Sequence, residues 1–148
     1  WMRASASIPI ASRPVKLGGK RLLDGGVSDP IPVKWMLSRG YEKNVVVLTR
    51  DVKYRKKANP KMQLFLKAVL HKYPAFLKDL EERHIHYNET LEELSALEKE
   101  GRVHIIRPSS PIQAAMIERD ESNLERIYQT GRADMKKDLE KLKAYLDS

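Results

Sequence analysis

A chain of 148 residues with 41% hydrophobic and 32% charged residues suits one globular domain of ordinary size. It contains no cysteine, which excludes a disulfide framework, a thiolate metal site and a cysteine nucleophile. The net charge of +8 favours polyanions or an anionic membrane surface as partners, although a basic stretch also serves as a plain solvated face. This excess is concentrated in Lys53, Arg55, Lys56, Lys57, Lys61, Lys67 and Lys72.

The N-terminal third is predicted to hold a short helix, a β-hairpin and a second helix. A helix-compatible segment ends before Pro9, because the residue before proline is pushed out of the α region. The pair Gly18-Gly19 joins two short alternating runs, at 15–17 and 20–23, which is typical of a hairpin. The next helix is predicted to begin at Pro32 and to end near Gly40.

Two apolar, β-branched runs predict strands further along the chain. Val45–Leu48 is continuous in apolar character, which is typical of a strand buried on both faces. Val103–Ile106 predicts a second strand, and the helical pattern between the two makes them parallel neighbours joined by a crossover.

Three helices are predicted in the remainder of the chain. The first begins at Asn59-Pro60, and the second, long and amphipathic, runs from Tyr73-Pro74 to Gly101. After a loop with room for a short helix beyond Pro111, Asp120 caps the last helix. Gly131 inside that helix marks either close packing or a weak point.

These elements define an α/β fold class with a short, mostly parallel sheet, a β-hairpin and long helices. We expect one region over residues 1–51 and a helical C-terminal region over residues 52–148 with a further strand at 103–107. Trp1 to Ser7 reads as structured sequence, so we expect the chain to be part of a longer protein.

One stretch could carry chemistry. Asp24 follows a strand end and precedes Gly25 and Gly26, an arrangement that can aim a carboxylate into a cleft. The same dipeptide is also a favoured turn, so a purely structural role remains open on spacing alone. We expect no metal site, because His84 and His86 point to different sides of a helix, and His84 is better explained as a packed or hydrogen-bonded residue.

The neighbours of Asp24 carry a family resemblance. Arg3-Ala4-Ser5-Ala6-Ser7-Ile8-Pro9, followed by the hairpin and by Leu23–Val33, resembles the second half of a patatin-like phospholipase. That family shows Ala-Ser-x-x-Ile-Pro, then a strand with Asp-Gly-Gly/Ala, then Asp-x-x-Pro-Val. The motif match covers Arg3 to Asp51, and the later part, from Val45 and including the helix around Tyr87–Leu91, is similar to bacterial patatin-family proteins.

The resemblance implies a serine hydrolase with a Ser-Asp dyad on a three-layer α/β/α fold, with residues 1–51 as the C-terminal part of the catalytic domain that carries the dyad aspartate. Asp24 matches the dyad aspartate, the proton acceptor, and Gly25 and Gly26 would let the chain turn without blocking the serine. The family's glycine-rich oxyanion loop and its Gly-x-Ser-x-Gly motif are absent from these 148 residues. We therefore expect the parent protein to hydrolyse lipid esters and this chain alone to be inactive.

The resemblance implies no cofactor and a lipid or ester substrate. Expected partners are an anionic membrane surface, the N-terminal half of the same protein and a second copy of the chain. Nucleic acid is not expected, because few aromatic residues are interleaved with the basic ones. We expect a cytoplasmic protein, with peripheral attachment to the membrane left open. The alternative is a non-catalytic module that uses its long helices to bind a partner or its positive charge to bind nucleic acid.

Overall fold

The computed structural model describes residues 1–115 and 118–148, and Met116 and Ile117 lie outside the described residues. The chain is a mixed α/β protein with long helices and small sheets. No helix in the described residues combines the length and apolar character needed to cross a membrane. The contacts divide the chain into two compact units. Unit 1 comprises residues 1–32 and 56–91, and unit 2 comprises residues 33–55 and 92–148.

Unit 1 begins with helix α1 (Met2–Ser5) and the predicted β-hairpin, formed by β1 (Val15–Leu17) and β2 (Lys20–Leu22). The strands pair antiparallel, and Gly18 and Gly19 have positive φ angles of 55° and 74°. Glycine reaches these angles without strain, which explains why the two-residue turn forms here. The hairpin prediction is confirmed.

A single 3₁₀ turn (Gly25–Val27) follows the hairpin, and two helices complete unit 1. Helix α3 (Pro60–Leu70) begins where Asn59 accepts a hydrogen bond from the Met62 N–H, as the Asn-Pro pair predicts. Helix α4 (Pro74–Lys99) contributes its residues up to Leu91 to unit 1 and its last turns to unit 2.

Unit 2 contains the predicted pair of parallel strands. Helix α2 (Val33–Ser38) leads to strand β3 (Asn44–Val47), which pairs parallel with β4 (Val103–Ile106). The two-stranded hairpin sheet and this parallel pair are separate sheets. Val103 and Ile105 lie in the core together with Leu94 and Leu97 of α4.

Helix α5 (Glu121–Asp147) packs against β4 in unit 2. His104 Nε2 and Asp138 Oδ2 lie 2.5 Å apart, and Tyr145 accepts a hydrogen bond from the Asn44 N–H at 2.8 Å. Asp120 caps the start of α5 as predicted. The described residues between Pro111 and Asp120 form no helix; the remainder of that prediction falls on Met116 and Ile117.

The prediction that β3 is buried on both faces is wrong. Val45 and Val47 are 42% and 69% exposed, and they share a face with His104 and Ile106 of β4. Helix α5 packs against β4, and the described residues leave the neighbouring valines of β3 exposed. The run of β-branched residues therefore indicates a strand, but burial of both its faces requires cover that the described residues do not supply.

The structure also decides between the two explanations of Gly131. A Cβ atom added at this position would meet no atom within 4 Å, so close packing does not require glycine there. The predicted boundary between residues 51 and 52 stays a prediction, and both compact units draw on residues from either side of it.

Candidate active-site turn

The backbone at Asp24 is anchored to the N-terminal segment. The Asp24 N–H donates to the carbonyl oxygen of Ser7 at 2.9 Å. Ser7 is itself buried, and its hydroxyl donates to the carbonyl oxygen of Arg3 at 2.7 Å. The two segments that carry the patatin resemblance, around Ser7 and around Asp24, therefore meet in unit 1. The Asp24 backbone is thus tied to the N-terminal segment by a hydrogen bond between main-chain groups.

The Asp24 side chain caps the turn that follows it. Its Oδ1 accepts a hydrogen bond from the Gly26 N–H at 2.7 Å, and Asp24 is the N-cap of the 3₁₀ turn. Val27, at the end of this turn, is buried, and the turn packs against α1. Within the described residues, this half-buried carboxylate accepts its hydrogen bond through Oδ1. The turn thus orients Asp24 and leaves Oδ2 available to a further donor.

Gly26 makes hydrogen bonds through both its N–H and its carbonyl oxygen. Its N–H donates to Asp24, and its carbonyl oxygen accepts a hydrogen bond from Arg83 Nε on α4 at 2.6 Å. A Cβ atom at Gly26 would lie 3.1 Å from Asp24 Oδ1 and 3.7 Å from Arg83 Nη2. At Gly25 the same atom would meet nothing within 4 Å. The second glycine is therefore the one that allows close approach of the carboxylate to the backbone.

Arg83 is the site residue that sequence reasoning missed. It is separated from Gly26 by 57 residues and lies in a helix whose pattern indicates an apolar seam beside charged positions. The available signal was its position three residues after Leu80 on that seam, which brings it next to the packed face. Nothing local indicated that its partner would be a backbone carbonyl of the Asp24 turn.

The histidines near this region make local contacts. His84 Nδ1 donates to the carbonyl oxygen of Glu81 at 2.9 Å, which confirms the prediction of a hydrogen-bonded residue. His86 lies near Glu82 and Glu89 on an exposed face of α4. Over residues 1–115 and 118–148, no group of three or more His, Asp or Glu side chains is placed to hold a metal ion.

Two family models match separate parts of the chain, one before helix α3 and one after it. The structure is a mixed α/β protein in which an aspartate-glycine turn follows a strand. The model of a domain of unknown function (DUF6363) matches residues 73–147, just over half of the chain, and the chain belongs to that family. The model of patatin-like phospholipase matches residues 1–37, which include Asp24, Gly25 and Gly26. No curated protein and no solved structure matches the sequence.

Proposed function

We propose that this chain supplies the aspartate of a Ser-Asp acyl hydrolase of the patatin-like type, with Asp24 as the proton acceptor. The observation that carries the proposal is the anchored Asp24 turn. One carboxylate oxygen is fixed by the Gly26 N–H, inside the segment that matches patatin-like phospholipase. A carboxylate held at the end of a strand with its second oxygen open is suited to accept a proton from a neighbouring hydroxyl.

In this proposal Asp24 acts twice. It first takes the proton of the serine hydroxyl while the serine oxygen attacks the ester carbonyl, and that proton passes to the departing alcohol. It then takes a proton from water, whose oxygen attacks the acyl-enzyme, and passes that proton to the serine oxygen as the bond to the acyl group breaks. The acid is released, and the serine and aspartate are restored. Fixing Oδ1 in advance reduces the reorganisation needed at each transfer.

The nucleophile and the oxyanion donors must come from outside these 148 residues. The sequence has no Gly-x-Ser-x-Gly motif and no glycine-rich oxyanion loop. Without them the negative charge that develops on the ester oxygen has no preorganised partner, a contribution that is often the largest in acyl transfer. We therefore propose that a lipid ester is the substrate of the assembled site and that this chain alone does not hydrolyse it.

The test compares the 148-residue chain alone with the same chain co-expressed with the segment that precedes it in its reading frame. We expect hydrolysis of a fluorogenic lipid ester only in the second sample, and its loss when Asp24 is changed to Asn. Hydrolysis by the chain alone would contradict the proposal that it is inactive by itself, and hydrolysis by the co-expressed sample that survives Asp24→Asn would contradict the role of Asp24. A preceding segment without a Gly-x-Ser-x-Gly motif would instead favour the non-catalytic module.

A further inference from the structure

Helix α3 of unit 1 exposes the apolar side chains that a helix in a globular protein usually buries. Leu64, Phe65 and Val69 are 72%, 51% and 48% exposed, and no residue of α3 is buried. An ordinary surface helix turns its apolar stripe inward and its charged face outward. With Met62, which is 50% exposed, four large apolar residues of one short helix are exposed, which indicates a surface that a partner covers when the protein functions.

The exposed residues form one face. At 100° per residue, the inward side of α3 carries the half-buried Gln63, Leu66 and Leu70. The rest of the helix surface presents Leu64, Phe65 and Val69 together with Lys61, which is also exposed, and the exposed Lys72 follows in the turn just beyond the end of α3. The solvent face of α3 thus carries apolar side chains with a lysine at each end.

The segment around α3 is uniformly basic. Residues 56–78 include six lysines and no aspartate or glutamate. Lys67 pairs with Glu81 of α4 at 2.9 Å, and Lys56 lies over the ring of Tyr87. The exposed lysines of this segment are Lys57, Lys61, Lys72 and Lys78, together with the paired Lys67.

We propose that the solvent face of α3 binds the surface of a lipid bilayer that contains anionic lipid. Leu64, Phe65 and Val69 would enter the boundary between headgroups and acyl chains, while Lys61 and Lys72 contact the negative headgroups. Both features are required together, because apolar insertion or electrostatic attraction alone gives weak attachment. This binding needs no hydrolytic step and does not depend on the role proposed for Asp24.

The same features argue against two other occupants. Two copies of α3 packed face to face would bring Lys61 and Lys72 of each copy close together without a compensating carboxylate in the segment. A nucleic acid would be bound through lysines and stacked aromatic rings, whereas Leu64 and Val69 offer no surface on which bases stack. An anionic bilayer satisfies the charged and the apolar residues at once.

The experiment measures co-flotation of the 148-residue chain with vesicles of phosphatidylcholine alone or mixed with phosphatidylserine. We expect binding only to the mixed vesicles. Lys61→Gln with Lys72→Gln should weaken it roughly 30-fold, since each lysine near an anionic surface contributes a factor of about five. Leu64→Ser with Phe65→Ser should abolish it. The matched control, Leu124→Ser with Tyr128→Ser on the exposed side of α5, should bind as the unchanged chain does.

Two further measurements distinguish a loss of vesicle binding from a loss of helical structure. Far-UV circular dichroism should be the same for all variants, because every substituted side chain is exposed. If a variant loses helix, Phe65→Trp replaces it, and its emission should shift to the blue on mixed vesicles only. Equal binding to both vesicle types, no loss in the α3 variants, a dimer that those variants dissociate, or salt-dependent binding of DNA in place of vesicles would each overturn the proposal.

Discussion

Arg83 Nε donates to the carbonyl oxygen of Gly26 at 2.6 Å, and this bond joins the two family-matched segments of the chain. Gly26 belongs to the segment similar to patatin-like phospholipase, and Arg83 belongs to the domain of unknown function. The same glycine donates to Asp24. A residue of the second segment therefore supports the turn that orients the carboxylate of the first.

Removing this donor should loosen the Asp24 turn. Arg83→Met should speed hydrogen exchange at the Gly26 amide about fivefold, because a lost hydrogen bond contributes on the order of 1 kcal/mol. Native-state hydrogen exchange followed by NMR measures the change. Arg102→Met, at an exposed position in unit 2, is the control and should leave this amide unchanged. An unaltered Gly26 exchange rate in Arg83→Met would show that the turn is stable without the Arg83 hydrogen bond.

The glycine inside α5 should be replaceable with a gain in stability. Gly131→Ala should raise the free energy of unfolding by about 1 kcal/mol, since the added methyl meets no atom and alanine is the better helix former. Gly101→Ala is the opposite case, because the φ of Gly101 is +72° and alanine is strained there. Urea denaturation of both variants measures the difference. A destabilised Gly131→Ala would mean that a contact outside this chain requires the glycine.

The pair formed by His104 and Asp138 should couple β4 to α5. Both side chains are largely shielded from solvent, so their interaction is screened less than one at the surface. A double-mutant cycle with His104→Phe and Asp138→Asn should give a coupling energy of roughly 0.5–3 kcal/mol. The exposed Lys143–Glu140 pair, treated the same way, should give less than about 0.5 kcal/mol. Equal values for the two pairs would refute the structural role of the first.

The cap of α5 should make helix stability depend on pH. The hydroxyl of Ser122 and the N–H groups of Asn123 and Ser122 bind the Asp120 carboxylate and lower its pKa. Because folding lowers this pKa, the charged cap stabilises above the unfolded value, roughly pH 4, and the gain is lost as the pH falls through the folded value.

The corresponding variant is Asp120→Asn, which keeps an acceptor but loses the charge. It should unfold at a lower urea concentration than the unchanged chain near neutral pH, and the two should converge in acid. Asp147→Asn, at the other end of α5, is the control and should show no such loss near neutral pH, since a negative charge there faces the carbonyl end of the helix. A difference for Asp120→Asn that persists unchanged in acid would contradict the assignment.

Local signals predicted the elements of this fold well. Gly18-Gly19 predicted a turn, and both glycines have positive φ angles. Asn59-Pro60 and Asp120 predicted helix starts, and Asn59 and Asp120 are the N-caps of α3 and α5. Each of these signals depends on residues close together in the chain, so it can be identified directly from the sequence.

Long-range relationships were predicted less well. Exposure of Val45 and Val47 depends on how far α5 extends over β3, and the bond between Arg83 and Gly26 spans 57 residues. Neither the exposure of the valines nor this hydrogen bond produces a periodic pattern in the sequence. Asp24 could be singled out because turn chemistry and a family resemblance coincide on it. Its supporting arginine could not, because the helical pattern around Arg83 does not indicate a backbone carbonyl 57 residues away as its partner.

The central claim is that Asp24 is the proton acceptor of an acyl hydrolase site. The most direct measurement is the rate of lipid-ester hydrolysis by the polypeptide of the complete reading frame, compared between Asp24→Asn and Asp29→Asn, an exposed aspartate close by. We predict that Asp24→Asn lowers the rate by about 100-fold or more, as loss of a general base does, and that Asp29→Asn leaves it within about twofold. A rate for Asp24→Asn equal to that for Asp29→Asn would contradict the claim.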